Sequence, residues 1–148
     1  MVKKTTEELR ASLASKGIEY DTPLIDAVKR QDVALIESLL REGADPNYRT
    51  NLDECAIAQA CSSRIDVNIL KLLLDNGANP NLRTTNEFTP LMLAAMSGNF
   101  PAVRLLLEHG ADPNLIAPPN WQAWMHAETR GHVEIAEFLK AVTSTQSS

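Results

Sequence analysis

The chain has 148 residues, 44% of them hydrophobic and 22% charged, with a net charge of −5 and a pI near 5.2. This suits one soluble domain with a real core; the acidic balance argues against nucleic acid, whose binding draws on clustered Lys and Arg, and no apolar run near about 18 residues suggests a membrane span or a secretory leader. Cys55 and Cys61 are too few for a disulfide scaffold and have no second pair for a zinc site, so we expect reduced thiols and a cytoplasmic protein, the alternative being a mature exported protein whose leader has been removed.

In chain order, Thr5 and Glu8 form an S/T-x-x-E capping box, Leu9 and Leu13 share a helical face and Gly17 is a stop. Residues 5–16 therefore read as a covering helix, and 5–20 as an N-terminal covering segment. Thr22-Pro23 pairs a capping hydroxyl with a proline at the first helical position, and the helix it opens carries the small residues Ala27 and Val28. Asp32 caps a second helix whose apolar stripe is Val33, Ile36, Leu39 and Leu40. The phrase GADPN at 43–47 ends it: glycine suits the left-handed residue that closes a helix, proline cannot continue one, and Asn favours a turn.

The same order recurs. Cys55 stands where Thr22 stood, Ala60 and Cys61 are the small pair, Asp66 is the cap, Val67, Leu70, Leu73 and Leu74 are the stripe, and GANPN follows at 77–81. Thr89-Pro90, Ala94 with Ala95, Asn99, then Phe100, Val103, Leu106 and Leu107 lead to GADPN at 110–114. Gln122 opens a fourth unit in which His132 holds the cap position and Lys140 replaces the last leucine of the stripe, a polar change fitting a terminal unit. Residues 143–148 read as a flexible tail. Each unit is a short helix, a turn, a longer helix and an extended finger. Helices this short are marginal alone and must be stabilised by stacking on the next copy.

The stretch TPLMLAAMSGNFPAVRLLLEHGADPN at 89–114 closely resembles an ankyrin repeat, and so does TPLIDAVKRQDVALIESLLREGADPN at 22–47. A third copy lies at 55–81 with one extra residue between its helices, and a fourth, cut short, at 122–142. The resemblance implies an all-α solenoid of helix-turn-helix units with extended β-turn fingers. It divides residues 1–142 into the covering segment, repeats at 21–54, 55–88 and 89–121, and a truncated cap at 122–142. The chain departs from the family in two places. The histidine after T-P-L is Ile25, Ala58, Met92 and Met125, so apolar packing is expected to replace a polar network. The finger glycine two residues before the Thr position is Asp53, Glu87 and Asn120.

The sequence carries no complete catalytic motif. HAE at 126–128 lacks the P-C-x-x-C half of a deaminase site, and His126 and His132 are six apart rather than the four of H-E-x-x-H. His126 is expected at an exposed site on its helix, His132 at a cap, and His109 against a helix C-terminus. Cys55 and Cys61 read as core or cap residues. We expect no catalytic residue, no metal and no cofactor. The resemblance implies instead a module that binds a protein partner through a concave face of fingers and first-helix residues, acting as a monomer. On that face Glu54, Phe88, Met96, Trp121 and Arg130 are the candidate binding residues. Phe88, Met96 and Trp121 are apolar where solvent-facing slots are ordinarily polar. Trp124, at the position of Leu24 and Leu91, is expected in the core. Acidic Asp21, Asp53, Glu54 and Glu87 along the fingers suggest a partner with some basic surface. The alternative function is an inhibitor or immunity protein that blocks a partner enzyme's active site.

Overall fold

The computed structural model describes residues 8, 15, 22–50 and 52–146. The covering helix expected at 5–16 and Asp21 lie outside them, Glu8 and Ser15 apart. Eight helices follow in pairs among the described residues: α1 (Thr22–Arg30) and α2 (Val33–Arg41), α3 (Ala56–Ala60) and α4 (Val67–Asp75), α5 (Pro90–Met96) and α6 (Phe100–Glu108), α7 (Ala123–Thr129) and α8 (Val133–Gln146). Each pair packs on itself, and α1, α3, α5 and α7 pack in succession, so the first helices form a continuous row.

The caps decide where the second helices begin. Asp32, Asp66 and Asn99 accept from the amides of Leu35, Asn68 and Ala102, meeting donors that a first turn leaves unpaired. Closure is equally uniform. Gly43, Gly77 and Gly110 take φ of +96°, +94° and +94°, and the next amide reaches back to the carbonyls of Leu39, Leu73 and Leu106. Those three leucines are 4%, 0% and 0% exposed, so the stripe reaches the core in every unit. Its first member does not. Val33 is 45% exposed, and Val67 and Phe100 are only partly covered, because a residue beside the cap sits at the rim of the stack. Two residues on, Ile69, Ala102 and Ile135 are buried, whereas Leu35 of the first unit is 41% exposed.

The polar network expected to be missing is present by other means. Asn47 donates through Nδ2 to Gly77 O (3.0 Å) and accepts from Asn79 N (2.6 Å). Asn81 does the same one unit on, with Gly110 O (3.2 Å) and Asp112 N (2.8 Å). The last letter of the first two phrases thus fastens one unit to the next as well as suiting a turn. A second row of fastenings runs between α-helix pairs. Gln31 bonds Arg64 O and Asp66 N, Asn99 Nδ2 bonds Cys61 O and Ser62 O, and His132 Nε2 meets Met96 O at 3.2 Å. That last contact needs Gly98, where a Cβ would lie 2.6 Å from the His132 ring. Where the family carries histidine, Met92 is buried, its amide donating to Thr89 Oγ1 while its sulfur accepts from Thr89 N.

One boundary and one burial differ from expectation. The tail expected from 143 begins as helix, α8 running to Gln146, because Thr143 stands where a stopping glycine stood in the earlier units. Trp124 is only partly buried. It closes the stack with one face on the core and Lys140 Nζ 4.6 Å from its ring centroid, the lysine in turn bonding Glu128 at 2.7 Å.

Candidate functional site

The fingers at 43–54, 77–88 and 110–121 project as three copies of one turn. Thr50 N, Thr84 N and Ala117 N each donate to the carbonyl four residues on, at Glu54, Phe88 and Trp121. Asp53, Glu87 and Asn120 sit in the left-handed region, with φ of +64°, +68° and +81°. The backbone therefore keeps the turn that glycine would take without strain, at some cost for a residue with a Cβ. Thr50 Oγ1 accepts from Leu52 N and Glu54 N, and Thr84 Oγ1 from Phe88 N. Arg49 reaches the carbonyl of Arg83, and Arg83 reaches that of Ile116 at 2.9 Å.

The finger carboxylates are committed within the molecule. Asp53 lies 3.5 Å from Arg49 Nε and accepts from Thr85 N at 2.7 Å; burial would raise its pKa, but Thr85 and Arg49 outweigh that and hold it below the usual carboxylate range. Glu54 pairs with Lys29 and Glu87 with Arg83. The acidic groups along the fingers, expected to suit a partner with some basic surface, are thus already ion-paired in the described members.

Phe88 and Trp121 occupy equivalent places on successive fingers, each half-buried. His126, on α7, stands between them, 5.3 Å from each ring centroid and inclined at 89° and 63°. Expected at an exposed site, His126 is 6% exposed. The reason is local: Asp26, at the same register in the first unit, is exposed, whereas here an aromatic residue flanks the position on either side. Burial, with Arg130 adding to it, holds the imidazole below its ordinary pKa. Of the five candidates, Phe88 and Trp121 are thus joined through His126, and Arg130 bears on the same ring from an exposed position. Glu54 lies a unit away in its pair with Lys29. Met96 is half-buried at the end of α5, its carbonyl on His132. His126 was the residue that sequence reasoning missed; two aromatics one period apart, flanking one first-helix position, are the signal that points to it.

Cys55 and Cys61 are both buried, and burial pushes both thiols up, so neither is primed as a nucleophile. Among the described residues no group of three His, Cys, Asp or Glu is placed to hold a metal ion, and no helix is long and apolar enough to cross a membrane.

Capped helix pairs, glycine-closed phrases and bonded fingers in fixed register define a stacked helical-repeat protein. The sequence model for ankyrin repeats matches three times, over residues 4–84, 24–117 and 57–146. The chain belongs to the ankyrin-repeat family. No curated protein is a significant match to it. Ankyrin repeats are in general modules of protein–protein interaction.

Proposed function

We propose that this chain is a non-catalytic binding module, monomeric and cytoplasmic, that holds a protein partner against its fingers and the first helices of repeats two to four. One observation carries the reading: Phe88, His126 and Trp121 make a single aromatic patch across two fingers, where solvent-facing positions are ordinarily polar. Aromatic anchors dominate interface energetics when a rigid surround excludes water. Met96, Glu54 and Arg130 would form the rim, and the pairing of the finger carboxylates favours a partner whose contact is centred on apolar groups. The test uses a partner identified by affinity capture. Replacing Phe88 and Trp121 together by Ala should weaken its binding by about 2 kcal/mol or more, roughly thirtyfold in Kd, with helix content unchanged. Unaltered affinity in a folded double variant removes this site.

A second reading, an inhibitor or immunity protein that plugs a partner enzyme, is favoured by Leu52. It is 83% exposed at the tip of the first finger, on a turn held by Thr50 and by Asp53. A rigid tip with an apolar end loses little entropy on insertion. If it plugs an enzyme encoded by a neighbouring gene, Leu52→Asp should relieve inhibition, and no inhibition by the wild-type chain discards the reading.

A further inference from the structure

The aromatic patch has an ionisable group at its centre with nowhere to put a second proton. His126 Nε2 is buried and has no hydrogen-bond partner among the described residues. A neutral imidazole keeps one acceptor nitrogen, whereas an imidazolium presents two N–H donors, and a buried donor left unpaired is costly. The charges around it offer no relief. On α7 itself, Arg130 opposes a positive ring, and Glu128 is committed to Lys140. The helix α5 packed beside it, PLMLAAM, has no ionisable side chain. Glu87, next to Phe88, is held by Arg83, and Glu134 and Glu137 of α8 are exposed to solvent.

The finger that His126 secures is also the most lightly braced of the three. Where Thr50 and Thr84 add hydroxyl bonds within their turns, the third finger has Ala117, and where Arg49 and Arg83 reach onward it has Ile116, 46% exposed. Its tip is held by the mutual backbone bonds of Ala117 and Trp121, by the bond that Ile116 O accepts from Arg83 at 2.9 Å and by the contact of Trp121 with His126.

We propose that the Phe88–His126–Trp121 stack is an acid-released latch: uptake of a proton at His126 parts the Trp121 ring from His126 and Phe88, and so takes the aromatic patch apart while Arg83 keeps the third finger tied to the second. The latch is independent of what the face binds; its use in releasing a partner rests on the docking role proposed above. Protonation must be accompanied by exposure, because only water or a moved carboxylate can accept the new N–H. The change is confined to the Trp121 ring, since the fastenings at Arg83, Asn81 and His132 involve other atoms.

The full chain is titrated from pH 8 to pH 5 while NMR follows the His126 ring proton and the Trp121 indole N–H. Emission of Trp121 is followed in parallel in a Trp124→Phe background. We expect His126 to titrate below about 6.5, its ordinary value, the Trp121 signal to move reversibly with the same midpoint, its emission to shift to longer wavelength, and far-UV circular dichroism to stay constant. His126→Phe, which keeps a ring without the ionisable nitrogen, should abolish the Trp121 transition. A Trp121 signal flat over this range, a transition that survives in His126→Phe, or one that coincides with loss of helix overturns the latch. If His126→Phe does not fold, the wild-type titration decides alone: shared midpoints support the latch and separate ones overturn it. Failure of the docking reading would look different, with affinity unchanged in the Phe88 and Trp121 variant while this titration still appears.

Discussion

Asn81→Ala tests the claim that the phrase GANPN ties repeats together rather than merely ending a helix. The substitution removes two bonds across the seam, Asn81 Nδ2 to Gly110 O at 3.2 Å and Asp112 N to Asn81 Oδ1 at 2.8 Å. It leaves the local bond from Asn81 N to Asn79 intact. Each bond is worth about 1 kcal/mol net, so the loss should be about 2 kcal/mol, and lower if water enters this half-buried site to satisfy Asp112. For a chain of this size about 2–4 °C of Tm accompanies each kcal/mol, which gives a fall of about 4–8 °C. Asn81→Asp keeps the acceptor and loses the donor, so it should fall roughly half as far. Asn47→Ala, which breaks the same pair of bonds one seam earlier, should match Asn81→Ala. Calorimetry gives Tm, and urea unfolding followed by circular dichroism gives the free energy and shows whether the slope changes, as it would if the stack came apart in pieces. A Tm for Asn81→Ala within about 1 °C of wild type would refute the reasoning.

Two further outcomes follow from particular residues. Glu87→Gly should stabilise the chain by about 0.5–1 kcal/mol, since it relieves a left-handed backbone and loses only an exposed ion pair, whereas Asp53→Gly should gain nothing because it also gives up the bond from Thr85 N; equal gains in urea midpoint would contradict the role given to Asp53. His109 Nδ1 meets Leu105 O and its Nε2 meets Asp75, contacts that raise its pKa in that order of weight. A folded pKa above the unfolded one means that its contribution is fully present below the ordinary imidazole pKa and is lost as pH rises through the raised value. His109→Gln should therefore cost more stability at pH 6 than at pH 8, read as the difference in urea midpoint from wild type; a constant difference would show that the charge does not matter.

Much of the fold was legible because repetition makes the signal cumulative. One Asp before a valine is a weak cap, but Asp32, Asp66 and Asn99 at one register are hard to read otherwise. The glycines of the phrase were equally plain, since few residues adopt the conformation at a helix end. What stayed hidden was what a residue does for the next repeat. Nothing in the letters of GADPN shows that Asn47 spans to Gly77, because the distance depends on how closely two units stack. His126 was placed at the surface because the repeat frame puts its position on the exposed side of a first helix; its burial comes from Phe88 and Trp121, one period apart in the sequence, whose approach to the ring depends on how the two fingers stack. The left-handed Asp53, Glu87 and Asn120 show the converse, a fold strong enough to hold its turn where the expected glycine is missing.

The arginine links between fingers bear on how the surface meets another body. Because Arg49 grips the strand that carries Arg83, and Arg83 grips the strand beyond, a push on the first prong is handed down the row rather than absorbed where it lands. The comb keeps its pitch, close to the roughly 10 Å width of a helix, and a molecule lying across it must match that spacing instead of spreading the teeth to suit itself.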